Sequence, residues 1–460
     1  MTFRKRSPSF NGSKQEPRIL RASSSLPFMN SKSRTTPRDF VARLTGVRPQ
    51  EAGIVLLSAA YFFFVLSAYY VIRPLREEMG VAGGVENIPW LFTGTLAAML
   101  LLHPVFAAIV SRWPRRRFVT VTYRFFMLCL VAFYFVLNAL PQGEAAAIWA
   151  GRVFFIWTAV FSLFVVSVFW SFMTDIYRER QGRRLFGLIG VAGTLGAIVG
   201  SSITALLIES LSPATLLWFS IVLLECAVAC VKGLDRKAGG RVPDTPSPAS
   251  DDEVIGGSPL DGIRHVLASP YLLGICAFML LFTIGSTFLY NIQAAVMERT
   301  FADPDQRTSV FAQINLAVNT LTLLTQLFLT GRIMKRFGVG LTLALLPLLS
   351  IVGFLALGAA PVFAVFVVFQ VLRRAGNFAL AVPAREVLYT VLPRRDKYKA
   401  KNFNDTFVYR AGDQIGAWSF AGFGMLGLGT AAMAFSMVPV AGVWLGVALW
   451  LGRRQRGLAG

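Results

Sequence analysis

Histidine is almost missing from this chain: His103 and His265 are the only two in 460 residues. A histidine-based metal centre or catalytic triad has almost no material, which removes most metalloenzyme and hydrolase chemistries. Cysteine is nearly as scarce. Cys129, Cys226, Cys230 and Cys276 all lie inside apolar stretches. Cys226 and Cys230 share a helical face, but the four read as small hydrophobes, not as disulfide or metal partners. No G-x-x-x-x-G-K-[ST] loop occurs, so ATP hydrolysis through a Walker-type site is excluded. Acidic residues are few as well, 24 against 45 Lys and Arg, for a formal net charge of +21.

What is abundant is apolar length. Hydrophobic residues make up 55% of the chain and the mean hydropathy is +0.58, both outside the usual range of a soluble domain of this size. A helical membrane span needs roughly 20 mainly apolar residues. Twelve such segments are expected, at 53–73, 88–110, 118–140, 147–173, 185–208, 214–232, 271–294, 308–330, 339–357, 361–383, 405–427 and 429–451. Their length implies helices and not a β-barrel.

Charge is distributed by side. Of the 45 Lys and Arg residues, 35 fall in both tails and in every second gap between the spans, while the intervening gaps hold three. Positive charge resists translocation, so the pattern predicts both termini in the cytoplasm of a bacterial-type inner membrane. It also answers the basic net charge without a nucleic-acid partner, since anionic lipid headgroups lie at the same edges. The expected organisation is a disordered basic tail over 1–49, a six-helix half over 50–232, a cytoplasmic linker over 233–269, a second six-helix half over 270–452 and a short tail over 453–460. Basic gaps recur at equivalent places in the halves, 111–117 and 331–338. The fold class expected is an all-α, major facilitator-like membrane protein with alternating access.

Small residues punctuate the spans. Gly190, Gly193, Gly196 and Gly200 predict close helix packing. Gly422, Gly424 and Gly427 form a G-x-G-x-x-G, but within a span and without a preceding strand, so the same packing reading is preferred over a dinucleotide site. Asn11-Gly12-Ser13 matches a glycosylation acceptor only in form. The run from Arg394 to Lys401 reads as a topology and headgroup element, with attraction of anions to a cavity mouth as the rival reading. Aromatic clusters such as Tyr61-Phe62-Phe63-Phe64 and Tyr69-Tyr70 read as packing, with stacking on a base as the rival. No cofactor is expected, and no catalytic constellation is assigned.

Ionisable residues inside spans carry the functional signal, because each is costly unless paired or facing water. The basic set is Arg73, Arg76 just beyond the end of the first span, Arg124, Arg152, Arg373, Arg374 and Arg410, and the acidic set Asp175, Glu225 and Asp413. An excess of arginine suits an anionic ligand, since the guanidinium donates two parallel hydrogen bonds to carboxylate or phosphate. The competing reading lets arginines near span ends, such as Arg73, Arg152 and Arg373, reach the interface. The residues selected for substrate binding are Arg76, Arg124, Arg152, Asp175 and Arg410, with Glu225 and Asp413 as coupling or ion-pair groups.

Three segments resemble the ATP/ADP translocases of plastids and intracellular bacteria. Tyr70-Val71-Ile72-Arg73-Pro74-Leu75-Arg76-Glu77-Glu78 is similar to that family's Tyr-x-x-Leu-Arg-Asp-Thr-Lys-Asp. Phe169-Trp170-Ser171-Phe172-Met173-Thr174-Asp175-Ile176 resembles Phe-Trp-Gly-Phe-Ala-Asn-x-Ile, and the stretch from Lys399 to Asp413 resembles Gly-Lys-Ala-Ala-x-Asp-Val-Val-x-x-Arg-x-Gly-Lys. The resemblance implies a transporter of nucleotides, with Arg76 in place of a binding lysine and Asp175 at an acidic position. It also departs from the family: Ala294 stands where the family has glutamate, and Asp413 where it has lysine. The function expected is therefore secondary transport of an anionic metabolite, phosphorylated ones included, on the pattern of ATP/ADP exchange. The alternatives are a proton-coupled transporter of an unrelated small molecule and a non-transporting membrane scaffold.

Overall fold

A computed structural model describes residues 47–238 apart from 49, 113, 114, 142 and 178, together with 269–392 and 403–459. Among these residues no strand occurs. The first set of helices is α1 (Ala52–Ala82), α2 (Ile88–Arg112), α3 (Arg115–Ala139), α4 (Ala145–Ile176), α5 (Glu179–Leu207) and α6 (Pro213–Ala238). The second is α7 (Pro270–Thr300), α8 (Pro304–Thr325), α9 (Gly331–Ala359), α10 (Phe363–Gly376), α11 (Val382–Leu388), α12 (Tyr409–Met425) and α13 (Thr430–Ala459).

Ten helical segments among the described residues are long and apolar enough to cross a membrane. One of them, 304–359, holds 56 residues, about 84 Å of helix at 1.5 Å per residue. A hydrocarbon core is only about 30 Å thick, and this segment changes direction at Gly338, whose φ of 73° places it in the left-handed region. The chain is a multi-pass, all-α membrane protein. Its helices start where local chemistry directs: Ser269 and Asp303 each accept from backbone N–H groups of the next turn, ahead of Pro270 and Pro304, satisfying donors that a helix start leaves orphaned.

Three packed cores follow the helix sets. The first is drawn wholly from residues between Val55 and Leu234. Another lies between Tyr271 and Leu451. A third, from Phe288 to Met437, also takes in Val81 and Ile88 of the first set. α1 is held against its neighbours by buried hydroxyls: Ser67 donates to the Gly196 carbonyl at 2.9 Å, Thr204 to Val71 at 2.8 Å and Ser220 to Ala68 at 3.0 Å. Gly193, Gly196 and Gly200 of α5 press on Phe62, Phe63 and Ser67 of α1, as expected for close packing, whereas nothing faces Gly190.

Several expectations need correction. α1 continues to Ala82, so Arg76 is inside the helix and not beyond it. The basic gap 331–338 is helical up to the turn at Gly338, and Arg453, Arg454 and Arg456 continue α13 where a tail was expected. No neighbour lies within contact of a Cβ at Gly422. The G-x-G-x-x-G instead ends a helix: the Leu426 N–H donates to Gly422 and the Gly427 N–H to Gly424, with Gly427 at φ 75°. The segments 1–46, with Asn11, and 239–268, and the basic run from Arg394 to Lys401, lie outside the described residues.

Candidate functional site

A cavity of about 550 Å³ lies between the two helix sets. On α1 it is lined by Tyr69, Arg73, Arg76 and Glu77, spaced four, three and one apart and therefore on one helical face. α7 contributes Phe282, Ser286, Tyr290 and Gln293, and α10 contributes Gln370, Arg373 and Arg374 at the same helical spacing. The π turn 377–381 adds Asn377 and Phe378, α11 adds Arg385, and α12, which follows the π turn 404–408, adds Tyr409, Arg410 and Asp413. π turns inside helices commonly mark functional sites, because the extra residue re-aims the side chains around it.

Six arginines and two carboxylates line this cavity, a formal excess of four positive charges. Two arginines are neutralised locally. Arg73 Nε meets Glu77 Oε1 at 2.9 Å, and Arg410 Nη1 meets Asp413 Oδ2 at 3.0 Å while the Thr287 hydroxyl donates to Asp413 Oδ1 at 2.9 Å. The other four have no carboxylate partner among the described residues. Arg76 donates to the Phe155 carbonyl at 3.3 Å and lies 3.9 Å above that ring. Arg373, only 3% exposed, donates to the Ser350 and Ser286 hydroxyls and the Phe282 carbonyl. Arg374 donates to Asn315 Oδ1 at 2.7 Å, and among the described residues Arg385 donates to the Met279 sulfur. Neutral dipoles hold these cations in place, and among the described residues none of the four has a carboxylate within ion-pair distance. Such a site attracts an anion strongly, because a low-dielectric wall weakens the screening water would supply.

Where α1 and α7 finish, side chains tie the two helix sets together. Glu78, the neighbour of Glu77 but turned about 100° around the helix, is held by Arg307 of α8. Asn315, two turns along α8, donates to Glu77 Oε2 at 3.4 Å. On the opposite seam the Thr93 hydroxyl donates to Gln414 Oε1 at 2.9 Å, and Trp90 packs edge-on to Trp418.

Of the residues selected from sequence, Arg76, Arg410 and Asp413 meet in this cavity. Arg73, Arg373 and Arg374 join them instead of reaching the interface. Arg152 lies elsewhere, donating to the Gly83 carbonyl at 3.0 Å and stacking on Trp149, so that it caps the end of α1. Arg124 and Glu225 pair with each other on the outer surface. The side chain of Asp175 lies outside the described residues. Arg385, Glu77, Tyr290 and Tyr409 were missed, as was the Glu78–Arg307 pair. One signal was available: Arg76, Arg299 and Arg307 are the three basic residues in gaps that should be free of them, and two of the three prove to be structural or cavity groups.

No family model matches the chain. It is 22% identical over 455 residues, 84% of this chain and 85% of the other, to ADP,ATP carrier protein 1 of Chlamydia trachomatis serovar D. A similar likeness, 22% over 87% of this chain and 74% of the other, extends to the plastidic ATP/ADP-transporter of Solanum tuberosum. Among solved structures, an auto-inhibited POT family peptide transporter aligns with a TM-score of 0.59 at 15% identity, covering 88% of this chain and 96% of that one. The xylose transporter XylE from E. coli aligns with a TM-score of 0.57 at 12% identity, over 86% and 94%. The fold is that of the major facilitator-type transporters, and the low-identity sequence likeness runs nearly end to end along nucleotide carriers.

Proposed function

We propose that the protein is a secondary transporter of the bacterial inner membrane, both termini cytoplasmic, that carries a phosphorylated anion of the nucleotide class by alternating access between two six-helix halves. The observation that carries this reading is the set of four cavity arginines, Arg76, Arg373, Arg374 and Arg385, without carboxylate partners among the described residues. A nucleoside di- or triphosphate brings on the order of three to four negative charges, matching the excess of four. Tyr69, Tyr290 and Tyr409 offer ring faces and hydroxyls for the remainder of such a ligand. The likeness to ADP,ATP carriers supports the same substrate class. In this scheme Arg76 and Arg410 hold the anion, and ligand binding competes with Asp413 for Arg410.

Thermal unfolding of the purified protein against nucleoside mono-, di- and triphosphates, inorganic phosphate and unphosphorylated nucleosides tests the reading, because selective binding to the folded state stabilises it. Stabilisation by ATP or ADP that Arg76→Ala abolishes is the expected result. Indifference to every phosphate compound sinks it. A second reading, proton-coupled transport of another small molecule, is favoured by one feature, the Asp413 carboxylate placed against Arg410 and Thr287 inside the cavity. Uptake into proteoliposomes driven by a pH gradient without counter-substrate separates it from exchange.

A further inference from the structure

Two opposite charges sit on the outside of the bundle at a depth where the chain meets hydrocarbon. Arg124 of α3 and Glu225 of α6 face away from the cavity, their side chains 55% and 50% exposed, with Nη2 and Oε1 3.5 Å apart. Glu225 is the midpoint of the span from Pro213 to Lys237, with about 18 Å of helix on either side. Around the pair the surface is apolar and exposed: Val121, Phe125 and Leu128 on α3, Trp218 and Val222 on α6. A charge at such depth is costly and normally faces the protein interior. The paired charges of the cavity, Arg73 with Glu77 and Arg410 with Asp413, obey that rule. This pair does not, and among the described residues its single long contact leaves most guanidinium donors and one carboxylate oxygen without a partner.

We infer that the α3–α6 face is the contact surface between two copies of this chain related by a twofold axis. The face carries one cation and one anion side by side, so it is complementary to itself. A half-turn about an axis between the two charges sets each Arg124 against Glu225 of the second copy, as an isologous interface requires. The four charges then alternate in a ring, each guanidinium between two carboxylates, shielded from lipid by the surrounding side chains. Polar groups that find partners across helices hold membrane interfaces together, and apolar packing around them supplies the rest. Snorkelling of Arg124 alone would relieve the cation but strand Glu225. A second copy supplies both missing partners by symmetry.

The test uses the full-length chain with two different affinity tags, co-expressed and extracted with its native lipids into polymer nanodiscs. Wild-type copies are expected to co-purify. Arg124→Glu makes the face doubly acidic and Glu225→Arg makes it doubly basic, so each variant paired with itself should co-purify at least about tenfold less, because like charges then oppose. Acidic and basic variants expressed together should recover the association, which also shows that both fold. The apolar double variant Arg124→Met with Glu225→Met is expected to melt at the wild-type temperature or above and to run as one copy per disc. Single copies of the wild type, undiminished self-association of the charge variants, or occupation of this face by a different polypeptide would each overturn the inference.

Discussion

Arg307 grips both carboxylate oxygens of Glu78, at 2.6 and 2.7 Å, and donates its remaining Nη1 hydrogens to the Phe301 and Ala302 carbonyls. This ties the end of α1 to the start of α8, across the boundary between the two helix sets. Both groups are nearly buried, so their value lies in geometry and mutual satisfaction more than in net stability.

Removing one member strands the other. Arg307→Ala is expected to destabilise the protein by about 3–5 kcal/mol. Arg307→Met combined with Glu78→Met should recover most of that loss. Melting of both variants checks the difference, and labelling of Val81→Cys, buried beside this pair, should rise only where the tie between α1 and α8 is lost.

Cavity arginines are expected to separate from the others. Arg374→Ala and Arg385→Ala should weaken anion binding about 10- to 100-fold, in line with about 1.5–3 kcal/mol for a charge-assisted hydrogen bond. Arg152→Ala should leave that affinity unchanged and lower the melting temperature, because it frees the carbonyl of Gly83 at the end of α1. Ligand titration by thermal shift distinguishes the two outcomes.

The α1–α5 seam tolerates no side chain at Gly196, where an added Cβ would strike the Phe63 backbone, nor the α9–α13 seam at Gly452, where it would strike Gly340. Gly196→Val and Gly452→Val should each cost at least about 1–3 kcal/mol by overpacking. Gly190→Ala and Gly422→Ala, which meet open space, should be near neutral in the same unfolding assay.

Glu51 precedes α1 and supplies a pH dependence. Burial pushes its carboxyl up, but hydrogen bonds accepted from the Gln181 and Arg184 side chains and the Arg48 backbone outweigh this and hold it below the usual carboxylate range. A depressed folded value means that its contribution is present above the unfolded value, near 4.3, and is lost as pH falls through the folded one. Glu51→Gln should remove that acid-limb loss, visible as a flatter melting temperature below about pH 4.

The apolar lengths and the side-by-side alternation of basic gaps determined the class of this protein without reference to any contact. Hydrocarbon admits helices of one minimum length and repels cations from the translocated side, so composition along the chain is enough to specify a multi-span α bundle. The same composition also marked Arg410 and Asp413 inside spans, and Arg76 just past the end of one, as charges with work to do. It could not tell them from Arg124 and Glu225, which look alike in one dimension. A helix turns about 100° per residue, so whether a charge faces the cavity, a neighbouring helix or lipid depends on the angle at which its helix is packed. That angle is set by distant groups, such as Phe63 against Gly196 or Glu78 against Arg307. Arg385 and Tyr409 show the same limit, since each follows a π turn that shifts the face by an extra residue. Tertiary packing alone decided which arginines gather around one cavity and which pair on the outer wall.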